Sequence, residues 1–141
     1  MNKIYFATTN IGKVSSLNSA LEPYDIIAEH VDMDLPEPRS ESLREIARSK
    51  VKYAYKEIGK PCVALDAGFY IDSLKGFPKT FVNPALNTIG IDGILKLVED
   101  KGRECEFRDC LAYMDYGMED PLYFESSTRG MLAEERRGKR K

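Results

Sequence analysis

The stretch IYFATTNIGK constrains this chain more than any other, because a strand runs into a helix through three small polar residues. Ile4 to Ala7 read as a buried strand, Asn10 is a good helix cap, and Val14, Leu17 and Leu21 recur at helical spacing. From there the apolar pattern predicts strand 3–8, helix 11–22, strand 25–31, an acidic proline-containing loop 32–39, helix 40–58, strand 61–66 and a short strand 69–73. KGFPKTF reads as a loop, followed by short helical segments near 83–88 and 92–100. Residues 103–116 and 121–128 read as two strands joined around Tyr116–Gly117. Strands that alternate with helices and then pair as a hairpin predict an α/β fold with a mixed central sheet and flanking helices.

A chain of 141 residues fits a single domain spanning 1–141, with enough surface to bury a sizeable core. It shows no repeat, no apolar run of membrane-spanning length and no secretory signal, so a cytoplasmic protein with no membrane partner is expected. Cys62, Cys105 and Cys110 lack the paired spacing of a zinc or dithiol site and read as structural or surface thiols. His30 is the only histidine and reads as a strand-end residue, which argues against histidine-dependent metal or serine chemistry. The near-neutral balance conceals a basic end, RRGKRK; with no interleaved aromatics it reads as a solvated charge run, and no specific nucleic-acid partner is expected.

Two lysines stand where they are not expected. Lys13 falls in the first turn of its helix, where the macrodipole disfavours a cation. Unpaired N–H groups at a helix amino end make an anion site, and Thr8, Thr9, Asn10 and Lys13 could hold a phosphate there. A capped helix carrying an exposed lysine is the alternative. Lys50 lies near the centre of the stripe formed by Leu43, Ile46, Ala47, Val51, Ala54 and Ile58. Either its ammonium snorkels to water, or it reaches a cleft and meets an anion.

The acids Asp32, Asp34 and Glu37 precede the second helix, and Asp66 ends the strand CVALD just ahead of Ala67–Gly68. Ligands in open α/β sheets collect outside the carboxyl ends of strands, which places Asp66 well for a site. Magnesium favours hard oxygen ligands and keeps several waters, with phosphate oxygens completing its shell. Lysines for phosphates and acids for a metal, without histidine or activated cysteine, suit hydrolysis of a phosphoanhydride.

At this point the chain resembles the inosine/xanthosine triphosphate pyrophosphatase family. The likeness is carried by Thr8, Asn10 and Lys13 as T-x-N-x-x-K, by DLPE from Asp34 to Glu37, by a helix with Lys50, by LDAGFYIDSLKGFP from Leu65 to Pro78, and by the strand pair up to Thr128–Arg129–Gly130. The resemblance implies a curved sheet between two lobes with a nucleotide groove, a homodimer, and Mg2+-dependent hydrolysis of deaminated purine nucleoside triphosphates to monophosphate and pyrophosphate. It further implies that Thr8, Asn10, Lys13, Lys50 and Gly68 bind the substrate, joined by Thr9 from the helix-end reading above, that Glu37 holds metal, and that Asp66 holds metal or acts as general base. Three departures accompany it: Leu65 where the family has a second acid, Lys79 where it commonly has glycine, and a carboxyl-terminal region expected to be short. Leu65 and the short carboxyl-terminal region support an alternative, a catalytically impaired nucleotide-binding or regulatory module on the same fold.

Overall fold

The computed structural model describes residues 2–135. The basic run 136–141 lies outside them. The order is β1 (Asn2–Ala7), α1 (Ile11–Leu21), β2 (Ile26–Val31), α2 (Leu43–Ile58), β3 (Cys62–Ile71), β4 (Pro78–Lys79), α3 (Val82–Thr88), α4 (Gly90–Leu97), β5 (Glu104–Met114) and β6 (Leu122–Met131). Six strands make one open sheet in the order β2-β1-β3-β5-β6, with β4 beside β3. β1 is parallel to β2 and β3, and β4 is antiparallel to β3, so the sheet is mixed as the alternation of elements predicts.

KGFPKTF, read as a loop, carries the short strand β4 at Pro78–Lys79, and two further elements differ from the sequence reading. α2 begins at Leu43 rather than at residue 40, because the Ser42 side chain accepts from the Glu45 N–H and fixes the helix start there. Ser40 is occupied otherwise: its hydroxyl oxygen accepts from the Ser42 N–H. The separate strands at 61–66 and 69–73 are one strand, β3. Ala67 and Gly68 looked like an interruption, but Gly68 is there for close approach. A Cβ on it would lie 2.8 Å from the Tyr70 hydroxyl oxygen and 2.9 Å from the Lys79 carbonyl oxygen. β4 can therefore lie against β3, with Phe69 opposite Lys79 and Tyr70 opposite Pro78.

The chain divides into two compact units, Met1–Asp66 with Cys110–Phe124, and Ala67–Asp109 with Glu125–Lys141. In the first, the two faces of the strands carry separate cores. Phe6, Val14, Ala28 and Val63 pack together on the α1 side, joined by the partly buried Leu65. On the α2 side, Ala47, Val51 and Ala54 meet Ala7, Cys62, Ala64, Cys110, Ala112 and Met114. Side chains alternate along β3, so Cys62 and Ala64 serve one core while Val63 and Leu65 serve the other. The small residues Ala47 and Ala54, both fully buried, let α2 sit close to the strands.

The second unit has its own core of Ile71, Ile94, Val98 and Cys105, with Phe69, Leu74, Leu86 and Leu132 packed against it. Phe69 and Phe107 stack with ring centroids 4.5 Å apart, and the Arg129 guanidinium meets Asp72 at 2.6 Å. All three cysteines are free and buried. Burial, together with the charge of Asp115, pushes the Cys62 thiol up to about 12, which makes it a packing residue and not a nucleophile. Among the described residues no helix is long and apolar enough to cross a membrane.

Candidate functional site

The register of β1 against β3 sets the position of the central acid. Tyr5 lies opposite Cys62 and Phe6 opposite Val63, so β1 ends at Ala7 before its neighbour reaches Asp66. Asp66 is thus inside β3, not at its end as the sequence suggested, yet it lies beyond the carboxyl end of the parallel strand beside it. There the chain leaves β1 through Thr8, Thr9 and Asn10 to begin α1. The period of two puts Asp66 on the same face as Cys62 and Ala64, under α2.

Lys50 projects from α2 onto that face. Its Nζ lies 2.7 Å from Glu37 Oε1 and 3.2 Å from Asp66 Oδ1, and it donates to the Leu65 carbonyl oxygen at 3.1 Å. Only 12% of the Lys50 side chain and 11% of the Asp66 side chain are exposed. Of the two fates open to this lysine in the sequence, it meets an anion. Glu37 comes from the irregular segment before α2 and is exposed, as are Asp32 and Asp34 of the same segment.

Burial raises the Asp66 pKa above its ordinary value of 3.8. The Lys50 charge and hydrogen bond pull it down, Glu37 adds to the rise, and the Lys13 charge opposes it. Desolvation wins. The second carboxylate oxygen, Oδ2, is buried and makes no hydrogen bond. A buried carboxylate oxygen without a partner is costly, and its ordinary remedies are a proton or a cation.

At the head of α1, Asn10 is the cap: its side-chain oxygen accepts from the Gly12 N–H at 3.0 Å. The Thr8 hydroxyl oxygen accepts from the Asn10 N–H at 3.1 Å. The His30 ring nitrogen Nε2 donates to the Thr8 carbonyl at 2.7 Å, so the strand-end histidine braces the same turn. Thr9 is exposed, and Lys13 is half-buried. Lys13, Glu37, Lys50 and Asp66 therefore belong to one electrostatic group, with the capped turn of Thr8 and Asn10 leading into it. At Gly68, a side chain would run into Tyr70 and Lys79.

One participant could not be found by reading side chains, the Leu65 carbonyl. In the sequence Leu65 counts only as a missing acid. In the fold its side chain packs on the α1 face while its backbone oxygen helps seat Lys50. Among the described residues no three His, Cys, Asp or Glu side chains converge as a closed metal set. Glu37 and Asp66 form an open pair of hard oxygen donors, and the partnerless Oδ2 of Asp66 fits a cation that retains water.

Residues 4–141 match the model of the Ham1 family. A dITP/XTP pyrophosphatase of Methanopyrus kandleri is 41% identical over 137 residues, which are 96% of this chain and 72% of that protein. One from Thermococcus kodakarensis is 31% identical over 137 residues, covering 96% and 73%. Among solved structures, a HAM1 protein from Coxiella burnetii superposes with a TM-score of 0.81 at 24% identity, covering all of this chain and 78% of that one. The last of these likenesses speaks for the fold, and the identities to the curated relatives speak for descent. This chain belongs to the Ham1 family.

Proposed function

We propose that this protein hydrolyses deaminated purine nucleoside triphosphates, the ITP, dITP and XTP class, to the monophosphate and pyrophosphate. What supports the reading is the group of Lys13, Glu37, Lys50 and Asp66, whose chemistry agrees with the dITP/XTP pyrophosphatase named for the relatives. Thr8, Thr9 and the donor end of the Asn10 amide would meet the triphosphate at the head of α1, with Lys13 and Lys50 opposing its charge. Gly68, two residues beyond Asp66, would join them as a substrate-binding residue through its backbone N–H.

Glu37 and Asp66 would hold Mg2+, which when bound supplies charge neutralisation at the phosphates. Asp66 would also take the proton of the attacking water, on the carboxylate oxygen it does not lend to the metal. The water attacks the α-phosphorus in line and pyrophosphate departs. No covalent intermediate on the protein is required, and positioned charge carries most of the acceleration. The reading includes a cytoplasmic homodimer as its working form.

The test is pyrophosphate release with Mg2+ across a panel of ITP, XTP, dITP, ATP and GTP. Faster turnover of the first three, abolished by Asp66→Asn, is the expected result. Full activity in Asp66→Asn would remove the base from the scheme.

One observation favours a second reading, a nucleotide-binding module without turnover. Leu65 places an apolar side chain where a carboxylate is expected, and the structure uses it for packing. Calorimetric binding of ITP with no release of pyrophosphate would decide for that module.

A further inference from the structure

The ammonium of Lys50 has three donors and three acceptors around it, Glu37 Oε1, the Leu65 carbonyl and Asp66 Oδ1. Two of the three are the carboxylates read above as metal-holding. An ammonium and a divalent cation drawn to the same two carboxylates compete, because each gains its stabilisation by neutralising the same pair of charges. Lys50 does not arrive from solvent. Its stem rises from the packed face of α2, between Ala47, Val51 and Ala54, and its head is held where a cation is needed. Without it, Glu37 and the buried Asp66 would repel each other next to a partnerless oxygen.

We propose that Lys50 is a resident counter-ion that metal entry displaces. In the metal-free protein it neutralises Glu37 and Asp66; when a divalent cation takes those carboxylates, the ammonium passes to a phosphate oxygen of the incoming substrate. The inference rests on the assignment of Glu37 and Asp66 as metal-holding residues. Linkage makes it reciprocal: a phosphate that draws Lys50 away tightens the cation, and the cation tightens the phosphate by the same factor. The site then loads metal and triphosphate together and stays neutralised when it holds neither.

The test uses Mn2+ alone, with affinity read from the electron paramagnetic resonance of the free ion, and no nucleotide. Lys50→Met and Lys50→Gln each remove the competitor, and having two variants guards against one failing to fold. Both should bind Mn2+ tighter than the unmodified protein by about tenfold or more. The gain should vanish when Asp66→Asn is added. A purely structural lysine would weaken binding when removed, so equal or weaker affinity in both variants overturns the proposal. If in that case Asp66→Asn still abolishes binding to the unmodified protein, the metal assignment stands and only the displacement is wrong. If Asp66→Asn and Glu37→Gln both leave Mn2+ binding unchanged, the metal assignment fails and the displacement falls with it.

Discussion

Lys50 Nζ stands 3.2 Å from Asp66 Oδ1, joining residues sixteen apart in sequence across the seam between α2 and β3. The pair is not a simple source of stability, because burial outweighs the lysine and leaves the Asp66 pKa raised. An acid whose folded pKa lies above its unfolded value binds more protons when folded. Between 3.8 and the raised value, stability therefore falls as pH rises, and above that window the ionised group is a net cost. In chelator-containing buffer, Asp66→Asn should be at least as resistant to urea at neutral pH as the unmodified protein. It should also lack the loss of stability that the unmodified protein shows on leaving that acidic window. A clearly less stable Asp66→Asn at neutral pH would mean that the lysine contact, not desolvation, dominates.

Lys13 acts on Asp66 through its charge and sits at the head of α1. If it grips phosphate in the ground state and the transition state alike, Lys13→Ala should raise KM for ITP by about tenfold with kcat changed only a few-fold. Steady-state pyrophosphate release measures both. A fall in kcat at unchanged KM would instead place Lys13 in transition-state stabilisation.

Asn18 holds the outer edge of β2. Its amide donates to the Ala28 carbonyl at 2.9 Å and accepts from the Ala28 N–H at 2.8 Å, so one side chain does for a buried edge residue what another strand would do. Asn18→Leu leaves both backbone groups without partners and should cost about 2–6 kcal/mol, the sum of two unsatisfied groups. Urea denaturation would show it, and a loss under about 0.5 kcal/mol would mean that water replaces the amide at no cost.

Gly68→Ala tests the close approach of β4 to β3. The new methyl would crowd the hydroxyl of Tyr70, whose ring is buried beneath the Arg108 guanidinium, and the Lys79 carbonyl, which is backbone. A loss of about 1–3 kcal/mol is expected from this overpacking. Thermal unfolding close to that of the unmodified protein would show that β4 detaches at little cost.

Much of this arrangement was legible from residue order. The strand-helix-strand start, the Asn10 cap, the buried stripe of α2 and the oddness of Lys13 and Lys50 are local properties, written in periodicities of two and 3.6 residues that any reader of the chain can count. The start of α2 was less so, since Ser40 and Ser42 are equally good caps by type and only the hydrogen bond to Glu45 chooses between them.

The rest required the fold. That Lys50 meets Glu37 and Asp66 depends on which face of β3 lies under α2, and the unbroken run of β3 depends on β4 approaching Gly68. The Leu65 carbonyl and the edge bond of Asn18 to Ala28 involve backbone atoms that every residue possesses, so no letter of the sequence marks them. Local preference sets what each segment becomes, because it acts through neighbouring atoms. Which charges share one desolvated spot is settled only when register and packing bring distant segments within a few ångströms, where Coulombic and desolvation energies become large.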